Sequence, residues 1–501
     1  MLILTSAQIR EWDEFTIKHE PIASIDLMER AALACCDWLA SKGYENRSFS
    51  IFCGKGNNGG DGLAIARILS GRKHAVTANI LEFGHKGTED FQTNLARLHE
   101  TQVDIRFISS EQTIPFIPAG ELIIDALLGS GLNRPLDGLT AMLVNHINQS
   151  GNEIISIDIP SGLSAEHSSK GNTFIAAAHT LSFQCFKPAF LFAENELSIG
   201  ELHVLDIGLH KDFEAGIKPG YLFADHQKVS EWLRPRRKFA NKGNFGHALL
   251  IAGSYGKIGA AVLSARACIR SGSGLLSVHI PGCGYNILQG AVPEAMVIED
   301  EEEMINSSID KTDLTIYKAV GIGPGIGQDK KTAKMLINLF NSYPHPMVID
   351  ADALNIIAAK KEWLKSVPQN SIFTPHPKEF DRLFGESKND ADRLAMAAKK
   401  AEEHNIIIIL KGHYTFIAAP GGEKYFNTTG NAGMAKGGSG DALTGMVTAM
   451  LAQGYAPLEA AVLAVFLHGL AGDLSSAIHS MEAMTASDLI DSIGKAFLKF
   501  Y

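Results

Sequence analysis

The chain has 501 residues, of which 46% are hydrophobic, 20% charged and 8% aromatic, and it carries a formal net charge of −10. That composition excludes a disordered chain, and the acidic balance speaks against a nucleic-acid-binding protein, which usually shows a basic face. The length leaves room for at least two domains, and the 48 glycines exceed the usual share of about 7% without a Gly-X-Y period, so they mark turns or loops where backbone approaches a ligand.

The N-terminus reads MLILTSAQIREWDEF, an apolar run too short for a secretory signal. Cys35, Cys36, Cys53, Cys185, Cys268 and Cys283 form no Cys-x-x-Cys pair. Neither a thiolate zinc site nor a disulfide framework is expected, and a reducing, cytoplasmic setting fits best. From residue 47 onward, short apolar runs alternate with helix-like segments: FSIFC (49–53), ELIIDALL (121–128), EIISIDI (153–159), HTLSF (179–183) and ELHVLDIG (201–208). The runs are continuous, which predicts strands of a parallel sheet buried on both faces. The polar segment 209–245, with Pro219 and Pro235, is the expected boundary between domains spanning 1–215 and 225–501. Within it, the basic run from Arg234 to Lys238 reads as a solvated linker.

A second series of strands follows: HALLIAGS (247–254), GLLSVHIP (274–281), YKAVGIGPG (317–325), PMVIDAD (346–352), SIFTPHP (371–377) and NIIIILKG (405–412). The acidic run from Glu299 to Glu303 reads as a solvated loop or helix start. The least charged stretch, 442–472, reads as two buried helices and not as a membrane span, since it holds Pro457, Glu459, His468 and several glycines. The expected fold class is therefore α/β, with two three-layer α/β/α sandwiches in series. Nearly every strand ends in Gly, Asp, Asn, Ser or His, and open α/β sheets bind ligands at the carboxyl ends of their strands.

The first such rim carries Gly54-Lys-Gly-Asn-Asn-Gly-Gly-Asp-Gly62 between a strand and a helix. A glycine-rich strand-to-helix turn presents backbone N–H groups to an anion. Asn57, Asn58 and Asp61 add amide and carboxylate groups; the plain alternative is a turn capped by Asp61. Asn58, Asp125 and Ser161 can surround a hard monovalent cation, potassium or sodium, and Asp158 can move a proton in the same crevice. In this order, GxGNNGGDG, DALLGSG (125–131) and DIPSG (158–162) resemble the NAD(P)H-hydrate epimerase domain, the YjeF N-terminal family, over roughly 1–210. The resemblance implies a Rossmann-like fold. It implies that the hydrated dinucleotide binds Asn57, Asn58, Gly59, Gly60, Asp61, Gly129, Ser130, Gly131, Leu132, Asn133, Arg134, Pro135 and Asp158. It implies potassium at Asn58, Asp125 and Ser161. Ser130 stands where many members have Thr.

The second rim carries Gly430 to Asp441, with Gly-x-Gly-Asp ahead of an apolar helix. Backbone N–H groups there can hold charge on a transferring phosphate, while Asp441 takes a proton from a hydroxyl. Lys411 and His376 sit at the ends of neighbouring strands. AGS…GAA (252–261), SGSGLL, PEAM, GPGIG, DADALN, TPHP, LKG and GGSGD resemble the ribokinase-like superfamily, and within it the ADP- or ATP-dependent NAD(P)H-hydrate dehydratases, over about 225–501. The resemblance implies nucleotide at Lys411, Gly412, His413, Tyr414, Thr415 and Gly440, and hydrate at Ala260, Gly323, Gly325, His376 and Asp441. It also implies magnesium on the phosphates. Ala432 stands where many members have Pro. Taken together, the expectation is a bifunctional repair enzyme acting on hydrated NADH and NADPH with ADP or ATP, assembling as a homo-oligomer, with no nucleic-acid or membrane partner. The alternative is a small-molecule kinase joined to a non-catalytic binding module.

Overall fold

The run FSIFC forms β1 (Phe49–Cys53), with all five side chains buried. Together with β2 (Val76–Leu81), β3 (Asp104–Ile108), β4 (Leu122–Ala126), β5 (Glu153–Ile157), β6 (His179–Phe183) and β7 (Glu201–Leu205) it makes a seven-stranded sheet in the order β3-β2-β1-β4-β5-β6-β7. Every pair is parallel. A computed structural model describes residues 1–82 and 84–501. In it the chain divides into two compact units, Met1–Gly220 with Asn389–Ala391, and Tyr221–Lys388 with Asp392–Tyr501.

The second unit holds β8 (Leu222–Ala224), β9 (His247–Ile251), β10 (Leu275–Ile280), β11 (Met296–Glu299), β12 (Ala319–Ile322), β13 (Met347–Ile349), β14 (Ile372–Phe373), β15 (Ile407–Leu410), β16 (Phe416–Ala418) and β17 (Lys424–Asn427). Their order is β11-β10-β9-β12-β13-β14-β15-β16-β17-β8. Only β16 runs antiparallel to its neighbours. Helices cover both sheets, giving the expected α/β layers.

The polar segment 209–245 is not a bare linker, because β8 and the helix His226–Trp232 fold within it and β8 pairs with β17. Its basic run is also more than solvated surface. Arg234 donates to the Gly454 carbonyl (3.1 Å) and Glu459 (2.9 Å) and lies 4.4 Å from the Tyr455 ring centre. Arg236 donates to the Gly272 carbonyl (2.6 Å) and stacks 3.9 Å from Phe245. In the acidic run, Asp300 is buried and accepts from the backbone of Glu302, Ser307 and Ser308. The apolar stretch forms the helices Ser439–Ala452 and Pro457–Ala483. By length and composition the second is apolar enough to cross a membrane, and 67% of its most apolar window is buried inside the protein.

Helices Ser439–Ala452 and Ile258–Arg270 pack backbone to backbone at Gly445. A Cβ there would lie 2.1 Å from the Ser264 carbonyl oxygen. Their close approach keeps Ala260 and Asp441 on one cavity. Gly445→Val is therefore expected to destabilise the second unit by about 1–3 kcal/mol, the usual cost of overpacking. Denaturant unfolding measures this, and wild-type stability would show that the two helices separate freely.

Candidate functional site

In the first sheet the strand order reverses between β1 and β4, so the loops leaving those strands open a crevice. The helix Asn57–Gly71 begins after Gly56, whose position carries no side-chain cap. Asp61 therefore does not cap the turn. It lies buried in the second turn of the helix, and burial, then Asp158 and Asp13, hold its carboxyl well above its usual range.

Asn57 is exposed at the helix start, whereas Asn58 is buried and both polar atoms of its amide lack a hydrogen-bond partner among the described residues. A Cβ on Gly129 would sit 3.1 Å from the Asn58 Cβ and 3.3 Å from Asp158 Oδ2, so these three positions share one small volume. Beyond Ser130 the loop runs outward: Gly131, Asn133, Arg134 and Pro135 are exposed and Leu132 is half-buried.

Asp125, fully buried at the end of β4, accepts four hydrogen bonds. Oδ1 takes them from Ser161 Oγ (2.6 Å) and Leu127 N (3.2 Å), and Oδ2 from Ser156 Oγ (2.8 Å) and Ser161 N (2.9 Å). Burial still raises its carboxyl above the usual range. A buried carboxylate with no ion pair among the described residues, on the same rim as an unpartnered amide oxygen, is a donor set that a hard monovalent cation fits.

Asp158 has φ 67°, in the left-handed region. Its partner is Lys187, which is fully buried and which the motif pattern does not single out. The Lys187 ammonium donates to Asp158 Oδ1 (2.8 Å), the Asp158 carbonyl (3.2 Å) and Ser182 Oγ (2.8 Å). The available signal was a lone lysine inside the apolar run CFKPAFLF. Ser130 N donates to the other carboxylate oxygen (3.3 Å). Asp13, also missed, is pushed up to about 7 by burial and by Asp158, with Lys187 opposing. It sits on the helix Ser6–His19, remote in sequence from every motif.

In the second sheet the reversal falls between β9 and β12. A cavity of about 440 Å³ opens there, lined by Lys257, Ala260, Gly325, Asp352, Glu379 and Asp441 among others. Gly323, with φ 134°, passes so close to Asp350 that a Cβ would lie 1.9 Å from its carbonyl oxygen. Asp441 stands in the first turn of Ser439–Ala452, where backbone N–H groups have no intrahelical acceptor. Burial, then Asp350, push its carboxyl up to about 6, and Lys411 opposes the shift.

The Lys411 ammonium donates to Asp350 Oδ1 (3.0 Å), and Thr444 Oγ1 donates to Asp350 Oδ2 (2.7 Å). A Cβ on Gly440 would lie 3.4 Å from Lys411 Nζ. Lys411, Gly440 and Asp350 therefore converge, and Asp350 is the organising residue that the DADALN motif contained without its role being legible.

His376 caps the helix Pro377–Phe384, accepting from Lys378 N (3.2 Å), while its own N–H donates to Glu379 (2.9 Å). Glu379 lines the cavity, and His376 Nε2 lies 3.3 Å from its Oε1. Gly412 and Thr415 close a turn on each other (Thr415 Oγ1 to the Gly412 carbonyl, 3.0 Å), with His413 exposed and Tyr414 half-buried between them. His468 donates from Nε2 to the Ser439 carbonyl (3.0 Å) beneath the glycine-rich loop. Burial pushes its imidazole down to about 4, so it is neutral there.

Two doubly covered α/β sheets, each with a lysine–carboxylate pair and a glycine-rich turn at its strand ends, define a two-domain enzyme of the nucleotide-handling α/β class. The family model described as NAD(P)H-hydrate dehydratase matches residues 248–495, and the one described as YjeF-related protein N-terminus matches residues 24–189. The Bifunctional NAD(P)H-hydrate repair enzyme Nnr of Moorella thermoacetica is 34% identical, covering 98% of this chain and 96% of its own. Its Escherichia coli namesake is 33% identical over 93% of this chain and 88% of its own. The crystal structure of ADP/ATP-dependent NAD(P)H-hydrate dehydratase from Bacillus subtilis, co-crystallised with ATP/Mg2+, superposes with a TM-score of 0.51 at 31% identity. It covers 56% of this chain and 99% of that one. The chain belongs to the family of bifunctional NAD(P)H-hydrate repair enzymes.

Lys187→Met should leave the half-buried Asp158 carboxylate without its cation and cost about 3–5 kcal/mol. The double variant with Asp158→Asn should recover part of that loss. Thermal unfolding of both variants checks the coupling, and additive losses would show that the pair is not coupled.

Proposed function

We propose that this chain repairs hydrated NADH and NADPH. Its first unit interconverts the R and S hydrates, and its second dehydrates the S hydrate at the expense of ADP or ATP. The observation that carries the reading is that both strand-end sites hold a carboxylate beside a buried or half-buried lysine, in a chain matched end to end by bifunctional relatives. That end-to-end match also disfavours a kinase joined to an inert binding module.

Adding water to the ring enamine of a reduced nicotinamide places the hydroxyl on the carbon next to the ring nitrogen. In the first unit, Asn57–Asp61, Gly129–Pro135 and Asp158 hold the hydrate. Asp13, pushed up to about 7, supplies a proton that Asp158, oriented by Lys187, relays to the departing hydroxyl as the ring nitrogen's lone pair forms an iminium. Water returns on the opposite face and releases a proton to the same carboxyl cluster, which inverts the centre. Asn58, Asp125 and Ser161 would hold potassium, which would supply positive charge at the crevice.

In the second unit, Ala260, Gly323, Gly325, His376 and Asp441 hold the hydrate, and Lys411–Thr415 with Gly440 hold the nucleotide. Asp441 takes the proton of the substrate hydroxyl as its oxygen attacks the terminal phosphate. The N–H groups of Gly437–Gly440 hold the charge that develops on that phosphate. Magnesium would offset the charge of the nucleotide phosphates. Hydroxide leaves poorly and phosphate leaves well. Expulsion of phosphate and loss of a proton from the adjacent ring carbon then restore the conjugated ring, and the nucleotide is released one phosphate shorter.

With the hydrate mixture and ADP or ATP, the NADH absorbance band should return in full. Asp158→Asn, which keeps an acceptor for Lys187, should stop at the S share. Unchanged use of the R hydrate would remove Asp158 from the epimerisation. Asp441→Asn should slow S-hydrate dehydration by about 10²- to 10⁴-fold.

A base works deprotonated, so the wild-type dehydration rate should rise about tenfold per pH unit below about 6 and level off above it. A folded-state pKa raised above the unfolded one costs stability once the group ionises. Asp441→Asn should therefore be more stable than wild type above pH 6, by on the order of 1–2 kcal/mol, with the gain fading as pH falls toward 4. A pH-independent rate between 4 and 7 would overturn the role given to Asp441.

A further inference from the structure

β6 and β7 are the last two strands of the first sheet, paired with His179 opposite Glu201 and Leu181 opposite His203. Residues two apart on a strand share a face, so His179, Glu201 and His203 stand together on one side of the sheet. Their ligand atoms converge. His179 Nδ1 lies 3.2 Å from His203 Nε2 and 3.6 Å from Glu201 Oε2, and His203 Nε2 lies 3.6 Å from Glu201 Oε1. Donor atoms about 2.1 Å from a tetrahedral ion stand roughly 3.4 Å from one another. The three groups are therefore already spaced as three corners of such a site.

The surroundings point the same way. A metal-bound imidazole usually presents its other nitrogen to a carboxylate, which fixes the ring. His179 Nε2 faces Glu153 Oε1 at 3.8 Å, and that oxygen accepts from the Tyr44 hydroxyl at 2.5 Å. Trp38 walls the pair, with its ring centre 5.2 Å from His179 and 4.7 Å from His203. Both histidine side chains are largely buried, with 17% and 15% exposed. The cluster lies at the start of β6. The epimerase crevice lies at the carboxyl ends of the strands, four residues on, or roughly 13 Å along the strand. It is a separate site.

We propose that His179, His203 and Glu201 bind one divalent transition-metal ion through two imidazoles and a carboxylate. Zinc fits this donor set best, with water in the fourth position. The ion ties the edge strand β7 to β6.

The test uses the full chain, stripped with a chelator and dialysed against zinc or cobalt. Wild type should retain one more equivalent of zinc than the His179→Ala/His203→Ala double variant. Cobalt should give the visible bands of a tetrahedral centre in wild type alone, displaced by zinc. Saturating zinc should raise the melting temperature of wild type by roughly 5 °C or more and leave the double variant unmoved. Removing two rings from beside Trp38 can loosen the fold, so Glu201→Gln, at a largely exposed side chain, serves as the second variant. It should bind zinc at least tenfold more weakly with an unchanged circular dichroism spectrum. Equal zinc content in wild type and double variant, or equal affinity in wild type and Glu201→Gln, overturns the proposal.

Discussion

An ammonium group with no access to water survives only where every N–H finds an acceptor and the charge finds a counter-charge. Lys187 meets both conditions with Asp158 and Ser182, and the rest of the first site is arranged around that requirement. The parallel strands are buried on both faces, so polar groups emerge only where strands end. Charge brought to that rim must be balanced within a few ångströms. Asp158 is balanced by Lys187, whereas Asp13 and Asp61 crowd the same field with no ion pair of their own among the described residues. Burial, then the nearby Asp158, holds their carboxyls above the ordinary range. Asp13, pushed up to about 7, can gain or lose a proton near neutrality.

The second unit solves the same problem in a different way. Lys411 is shared between Asp350, at hydrogen-bond distance, and Glu379, 4.0 Å away. Asp441 stands within the field of Asp350 and Lys411 without owning either. That leaves it a displaced carboxyl lining the cavity, in the first turn of a helix. One lysine brings Asp350, Glu379 and Gly440 together, and close helix packing at Gly445 holds Ala260 and Asp441 on the same cavity.

Much of the sheet architecture was legible because buried parallel strands are unbroken apolar runs. FSIFC and HTLSF correspond residue for residue to β1 and β6. SIFTPHP does not: only Ile372–Phe373 pair as β14, because Pro375 and Pro377 end the ladder and start the next helix. The apolar-run pattern passes over β2, β3, β8, β11, β16 and β17. Asp104 and Arg106 make β3 polar and the side chains of β11 are half-exposed or exposed, as suits two sheet-edge strands that are not buried on both faces, whereas β2, β16 and β17 lie inside their sheets and were missed for want of a long apolar run. Glycine-rich motifs marked both rims, since backbone must approach ligand there. Lys187 and Asp13 gave no comparable signal, because a charge balanced through space leaves no spacing in the chain.

What the sequence determined by itself is the buried strands that are unbroken apolar runs, the rim on which each motif would fall and the kinds of groups there, because these depend on local burial and backbone freedom. Tertiary structure decided which charges meet, Lys187 with Asp158 and Lys411 with Asp350, and left the Asn58 amide without a partner among the described residues near Asp158. It also turned Arg234 and Arg236 from a solvated run into anchors of the second unit. Electrostatic balance in a low-dielectric interior is set by distances across the fold. Those distances exist only once strands distant in the chain lie side by side.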